Sequence, residues 1–264
     1  MPIYRLNKSI IFPPPEHAEA DGVLAVGGDV CVERLLEAYR CGIFPWPIEG
    51  VPLVWWSPDP RFVLYPGDLK ISKSLQRVLR KRVYTFTIDH CFADVVHNCR
   101  SVKRPEQPGT WITTQIMQGY IALHEAGYAH SVEAWKDGKL VGGLYGVSLG
   151  RCFFGESMFA TEPDASKCAF ARLVEALRAQ GCPLIDCQVH TDHLERFGAQ
   201  EIPRAQFLQE LHAALQGDDI INWQILDLNC DIRESTYLVY SRAPGGIRLP
   251  TPRTSGKVEA ASRR

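Results

Sequence analysis

No stretch of this 264-residue chain is long and apolar enough to span a bilayer, and Pro13-Pro14-Pro15 interrupts the chain before any apolar run of signal-peptide length. That pattern reads as a cytoplasmic protein with no membrane partner. Net charge is equally scarce, since 29 Lys and Arg stand against 30 Asp and Glu for a formal balance of -1. A field that weak does not draw in nucleic acid from a distance, so an RNA contact has to use a local basic patch. None of the nine cysteines is paired as Cys-x-x-Cys, which removes the usual zinc and redox spacings. They read as reduced, mostly buried small hydrophobes. His190 and His193 are three apart, with no acid or thiolate at convincing ligand spacing, so no metal is expected. There is no heptad repeat either, and a monomer is the default.

What is present suits a globular protein: 45% of residues are hydrophobic and 22% charged, enough for one large domain or two unequal ones. Residues 1–60 read as a small domain. In it, 11–29 is a Pro- and Gly-rich loop, and Val32 to Tyr39 is a short helix with Leu35, Leu36 and Tyr39 at helical spacing. Residues 44–60, dense in Trp and Pro, read as packed irregular surface. From Arg61 the pattern becomes strands with helices between them: strand 61–65, helix 72–82, strand 85–88, helix 92–99 and helix 114–126. Segments 131–135, 140–148 and 152–154 predict a three-stranded antiparallel meander around two turns. Helix 166–179, strand 184–189, a short helix near 192–197 and helix 204–215 complete a second domain over 61–234. The fold class is α+β with a mixed sheet. Residues 235–264, rich in Arg, Pro, Gly, Ser and Thr, read as a disordered basic tail.

Six stretches stand out together: Gly22 to Asp29, Tyr39 to Trp46, Trp55 to Arg61, Gly109 to Thr113, Gly155 to Phe159, and Leu184 to Val189. In this order and spacing the set resembles the leucyl/phenylalanyl-tRNA protein transferase family, with His193, Gly198 and Ile202-Pro203 continuing the similarity. The resemblance implies a small N-terminal domain followed by an N-acetyltransferase-like (GNAT) acyltransferase domain. It implies transfer of Leu, Phe and, to a lesser extent, Met from aminoacyl-tRNA to proteins that begin with Arg or Lys, which marks them for degradation. Such a reaction starts from an ester already activated by the tRNA and calls for no soluble cofactor.

Asp186 and Gln188 lie two apart on a predicted strand, so both side chains are expected on one face and in reach of one substrate. By spacing alone, Asp186 reads first as a strand-end residue satisfied by a backbone N–H; the resemblance reverses that preference and places the pair at the reaction centre. Glu156 follows an apolar run and reads as a surface ion pair or, given a specificity for basic N-termini, as the anion that pairs with that residue. Trp46, Trp111, Leu144, Phe153, Met158 and Phe170 are candidates for an aminoacyl or adenosine pocket, with Trp46 or Trp111 equally able to stack the terminal adenine. Ser166 is a competent N-cap at a helix start that offers free amides to phosphate or ester oxygen. Lys73, Arg77, Arg80 and Lys81 fall on one helix face, Arg82 adjoins them, and no acid interrupts Ile71 to Val83, which makes a candidate tRNA-phosphate contact.

Three other readings compete. A CoA-dependent N-acetyltransferase usually carries a Gly-rich pyrophosphate loop, and Met158 to Lys167 contains no glycine. A non-catalytic RNA- or peptide-binding module explains the basic helix and the aromatics but has no need of Asp186, Gln188 and Glu156 together. A thiol enzyme pairing Cys187 with His190 puts residues i and i+3 on opposite sides of a strand unless the strand breaks first.

Overall fold

Two sheets meet near Pro60. The computed structural model describes residues 3–48, 50–102, 110–217 and 220–229. The first sheet has four short strands, β1 (Tyr4–Leu6), β2 (Val23–Gly27), β3 (Phe44–Pro45) and β4 (Val54–Trp56), in the order β1-β2-β4-β3, with helix α1 (Val32–Arg40) between β2 and β3. Only β1 and β2 run parallel. This corrects the loop expected over 11–29, which contains β2, and the irregular surface expected over 44–60, which contains β3 and β4. Strands of two to five residues are too short to show an alternation. Tertiary contacts define them instead: Trp55 is fully buried and its indole N–H donates to the Gly27 carbonyl at 2.9 Å, while that of Trp56 donates to Trp46 O at 2.9 Å.

The second sheet is built from β5 (Arg61–Leu64), β6 (Thr85–Ile88), β7 (Ala129–Lys136), β8 (Lys139–Leu149), β9 (Cys152–Ala160), β10 (Leu184–Gln188) and β11 (Gln200–Ile202), ordered β11-β5-β10-β9-β8-β7-β6. The predicted meander is β7-β8-β9. All pairs are antiparallel except β9 with β10, which are joined by a helical crossover, as a parallel connection requires. The helices are α2 (Lys73–Arg80), α3 (Phe92–Ser101), α4 (Thr114–Glu125), α5 (Ala165–Ala179), α6 (Asp192–Glu195) and α7 (Arg204–Leu215). The crossover helix α5 packs on β7, β8 and β9 with α2 alongside it, while α3 packs on β7, β8 and β9 with α4 as its neighbour. The mixed α+β architecture is as expected.

The first sheet shares its core with the second: Leu24, Ala25 and Trp55 belong to the same apolar cluster as Tyr145, Val147 and Phe154. Contacts group the chain up to Asp231 into one compact unit. Residues 230–264, including the expected tail, lie outside the described residues.

Helix α2 follows directly from its sequence. Leu75 and Leu79 are buried, the Ser72 hydroxyl caps the first turn by accepting from Leu75 N at 3.2 Å, and Lys73, Arg77, Arg80, Lys81 and Arg82 are exposed. The start of α5 is different from the reading above. Asp164, in a left-handed conformation at φ 62°, precedes the helix, and Ser166 is its second residue, 8% exposed and capping nothing. The helix start is pressed onto β8, where a Cβ at Gly142 would lie 2.7 Å from that of Ala165.

One feature of the sheet positions the site. β9 and β10 pair at three positions only, Cys152 with Leu184, Phe153 with Ile185 and Phe154 with Asp186. Beyond them β9 continues to Ala160, held by β8. β10 leaves the register instead: Cys187 is an extra residue between Asp186, opposite Val63, and Gln188, opposite Phe62, and Gln188 adopts a φ of +65°. Two parallel strands that start together thus part, and the gap between them is a wedge.

Candidate active site

The wedge holds a cavity of about 440 Å³. Its walls are mainly apolar, and all six apolar candidates from the sequence line it: Trp46, Trp111, Leu144, Phe153, Met158 and Phe170. The Trp46 and Trp111 rings lie 5.7 Å apart, tilted by 37°. Trp46 comes from the loop after β3 and Trp111 from the segment between α3 and α4, so residues 65 positions apart in the chain supply the two rings. Polar side chains are few: Tyr145, Glu156, Ser157, Gln188, Thr191 and His193.

Glu156 is the centre of the polar end. Its Oε1 accepts from the Tyr39 hydroxyl at 2.7 Å and from the Gln188 amide at 2.8 Å, and its Oε2 lies 2.5 Å from the Tyr120 hydroxyl. The two phenols are 2.6 Å from each other and neither has exposed surface. Burial pushes the Glu156 carboxyl up to about 7, against the hydroxyl and amide hydrogen bonds that favour its charged form. The same burial holds both phenols well above their ordinary range. This is not the surface ion pair: Glu156 lines the cavity, and among the described residues no cationic side chain pairs with it. The sequence pattern gives Tyr39 and Tyr120 no role here; the one available signal is that a tyrosine on the inward face of a helix needs a buried hydrogen-bond partner.

Asp186 does not reach the cavity. It is fully buried, and Arg61 of β5, also fully buried, grips it bidentately, Nε to Oδ1 at 2.8 Å and a terminal nitrogen to Oδ2 at 2.6 Å. Arg61 also donates to Gly42 O at 3.0 Å and is sandwiched against the rings of Phe44 and Phe207. The backbone N–H of Gln188 donates to Asp186 Oδ1 at 2.9 Å, the satisfaction by a neighbouring amide that the plainer reading of Asp186 foresaw. The expectation that Asp186 and Gln188 meet one substrate is therefore corrected. The bulge at Cys187 and the left-handed Gln188 end the alternation on which it rested; Asp186 lies behind the cavity, where it accepts from the backbone of Gln188 and its charge adds to the upward push on Glu156. A left-handed non-glycine residue stores about 1 kcal/mol or more, and its position at the cavity wall fits a functional constraint.

Other sequence candidates fall elsewhere. Ser166 is buried in the first turn of α5 and does not line the cavity. The basic face of α2 is exposed, outside the lining. Cys187 does line it, but burial holds its thiol far above the usual value, its Sγ contacts Ile185 O at 3.9 Å, and the His190 ring packs edge-on against Phe62. A reactive thiolate is thus disfavoured. The spacing argument against a metal set missed one convergence: His190, Asp192 and Glu195 each bring a ligand atom within 4.8 Å of the others, because one turn of α6 carries the two acids. All three are exposed, and an exposed acidic group of this kind makes no metal site by itself.

The sequence model described as leucyl/phenylalanyl-tRNA protein transferase matches residues 63–212, and the model of that family's N-terminal domain matches residues 28–59. A leucyl/phenylalanyl-tRNA protein transferase from Syntrophobacter fumaroxidans is 58% identical over 208 residues, 79% of this chain and 89% of that protein. The chain belongs to this family. It is an aminoacyltransferase by that membership. Transferases of the same name from Anaeromyxobacter sp. strain Fw109-5 and Myxococcus xanthus are 58% and 55% identical, covering 81% and 82% of this chain and 92% and 93% of those proteins. The first matched segment contains Trp46 and Tyr39, the partner of Glu156, and the second contains every other cavity residue named above. A protein of unknown function from Bacteroides thetaiotaomicron aligns at a TM-score of 0.36 and 14% identity, over 61% of this chain and 57% of that one.

Proposed function

We propose that this transferase takes Leu, Phe and, less readily, Met from aminoacyl-tRNA and joins them to proteins whose N-terminal residue is Arg or Lys, marking those proteins for degradation. The observation that carries the reading is the composition of the cavity: mainly apolar walls and a single carboxyl, that of Glu156, which no cationic side chain among the described residues pairs with. Phe153, Met158 and Phe170 suit an unbranched or aromatic side chain, with Met158 able to adapt to more than one. Glu156 suits the guanidinium or ammonium of the acceptor.

The acceptor's neutral α-amine attacks the ester carbonyl, a C–N bond forms, the ester C–O bond breaks, and the amine proton goes in net terms to the departing tRNA hydroxyl. Gln188 spends its amide N–H on Glu156, which leaves its carbonyl oxygen to accept from the amine and orient it. An amide is too weak a base to take the proton itself, so its contribution is position. Asp186 and Arg61 hold Gln188 in its left-handed conformation from behind. The parting of two parallel strands in a mixed sheet supports an N-acetyltransferase-like domain over 61–234, preceded by a small domain over 1–60. The protein works in the cytoplasm as a monomer; among the described residues no helix is long and apolar enough to cross a membrane.

On this reading the exposed Lys73, Arg77, Arg80, Lys81 and Arg82 contact tRNA phosphates. Replacing Arg77, Arg80 and Lys81 by Ala weakens binding of charged tRNA and lowers the slope of its salt dependence by about 2 to 3, at roughly 0.7–0.9 per lost phosphate contact. An unchanged slope removes α2 from the interface. The function as a whole is tested by following radiolabelled leucine from leucyl-tRNA to a peptide beginning with Arg, beside one beginning with Ala and beside acetyl-CoA as donor. Label on the Arg peptide from tRNA alone is the expected result. Acetyl transfer without leucyl transfer would replace this reading by the acetyltransferase one.

A further inference from the structure

The polar end of the cavity contains more hydrogen-bonding contacts than its ionised form has protons to fill. Three oxygen–oxygen contacts close a ring: Tyr39 Oη to Glu156 Oε1 at 2.7 Å, Tyr39 Oη to Tyr120 Oη at 2.6 Å, and Tyr120 Oη to Glu156 Oε2 at 2.5 Å. Each is short enough to require a hydrogen between its oxygens. Two phenols supply two protons, and a carboxylate supplies none. With Glu156 ionised, both phenols point at it and their own 2.6 Å contact is left as two lone pairs facing each other. With Glu156 protonated, every oxygen of the ring gives or takes in one continuous sense. Oε1 already accepts from the Gln188 amide at 2.8 Å, which favours Oε2 as the protonated atom: Oε2 donates to Tyr120, Tyr120 to Tyr39, and Tyr39 to Oε1.

We propose that Tyr39 and Tyr120 are positioning residues that hold Glu156 as an uncharged acid in the free protein, and that a cationic acceptor N-terminus becomes bound by displacing that shared proton. The proposal rests on the reading of Glu156 as the acceptor site. The exchange balances: one cationic side chain enters, one proton leaves through the cavity that Glu156 lines, and the carboxylate so formed keeps the Gln188 amide and both phenol hydrogen bonds. The benefit is to the donor. A naked carboxylate in an apolar chamber would disfavour the Leu or Phe side chain beside it, whereas a closed neutral ring does not. An acceptor whose first side chain is uncharged offers nothing to offset the loss of the proton, so the ring also discriminates against it.

The surrounding groups are consistent with this. From α1 and α4 come Tyr39 and Tyr120; from β8 comes Tyr145, whose ring packs 5.4 Å from that of Tyr120; from β10 come Gln188 and Asp186, the latter paired with Arg61; and His193, whose imidazole burial shifts toward the neutral form, also lines the cavity. No cation is among them, and burial raises the carboxyl's affinity for its proton.

The test is infrared difference spectroscopy of the free full-length protein, wild type against Glu156→Gln, at about pH 5.5 and about pH 9, on either side of the value burial gives the carboxyl. The amide of Gln can occupy the same ring. Expected is a protonated-carboxyl C=O band at the lower pH that disappears at the higher one. Carboxylate bands at both pH values would overturn the proposal. Tyr39→Phe against wild type gives the second reading: the acid band moves to higher frequency because its C=O loses a donor, and an unmoved band would mean the ring is not closed. The KM for a peptide beginning with Arg separates this from the underlying reading. It should fall on the order of 10-fold over the same pH range in wild type, and change in Glu156→Gln only with the peptide's own amine. An acid band with equal KM values in the two proteins would remove Glu156 from the acceptor site while leaving the ring intact. Carboxylate bands with a raised KM in the variant would do the reverse.

Discussion

Two carboxyl groups sit on either side of the same seam and are treated in opposite ways. Asp186, opposite Phe154 where β9 and β10 still pair, is met by a guanidinium held in a fixed fork. Glu156, two residues beyond Phe154 where the strands have parted, is met by two phenols and an amide. Asp186 is fully buried and is given its counterion by the fold, whereas Glu156 is part-buried at the cavity wall and is left to acquire one. Below the point of parting the sheet is closed and its charge is neutralised internally, which makes a rigid base. Above it the protein keeps dipoles rather than charges around the acid, and a charge there is completed by what binds. The division of labour follows from a single local event, the extra residue at Cys187 and the left-handed turn at Gln188.

Three substitutions sharpen or break that comparison. The largest effect is expected on the closed side. Arg61→Met leaves Asp186 buried without its partner and should lower stability by about 3–5 kcal/mol in urea unfolding; a loss below about 1 kcal/mol would mean that Asp186 does not depend on the pair. On the open side the effect is one of pH. Since burial raises the folded-state value of Glu156 to about 7 from 4.5, the folded protein holds this proton across that window while the unfolded chain has released it. Its contribution is fully present below the unfolded value and is lost as pH rises to about 7. Relative to Glu156→Gln, wild type should therefore lose about 3 kcal/mol of stability over that range and stay level above it. A difference between the two proteins that does not vary with pH would place Glu156 on the same footing as Asp186. The smallest stability effect belongs to Gln188, which touches both acids. Gln188→Gly relieves the left-handed strain and loses the amide bond to Glu156, each worth about 1 kcal/mol, so stability should stay within about 1 kcal/mol of wild type while transfer is lost. Retained transfer would remove the amide from the chemistry.

The sequence carried the regular parts of this picture where a pattern is local. The 3.6-residue spacing of Leu75 and Leu79 gave α2 and its basic face, and the turn at Asp137-Gly138 marked the β7-β8 hairpin. Of the six apolar cavity residues, Trp46, Trp111 and Met158 lie in the stretches that carry the resemblance, while Leu144, Phe153 and Phe170 lie outside them. What was not legible depends on long separations. Arg61 and Asp186 are 125 residues apart, and Tyr39 and Glu156 are 117 apart. No period in the sequence reports such a pairing. β3 and β4 were read as irregular because their identity comes from Trp55 and Trp56 packing rather than from alternation. The period-two rule failed at Gln188 for a physical reason: a bulge adds a residue, and β-propensity arguments do not see a left-handed backbone that the buried Asp186 carboxylate holds in place.

The central claim is that the acid at the open end of the seam is the feature that selects a basic N-terminus. The most direct measurement is the ratio of kcat/KM for leucyl transfer to a peptide beginning with Arg over one beginning with citrulline, its uncharged near-isostere, in wild type and in Glu156→Gln at a pH above 7. Losing one partner of a desolvated charge pair costs roughly 2 kcal/mol or more, so the ratio should collapse by about 30-fold or more in the variant. An unchanged ratio, with transfer otherwise intact, would contradict the account and send the search for the acceptor site away from Glu156.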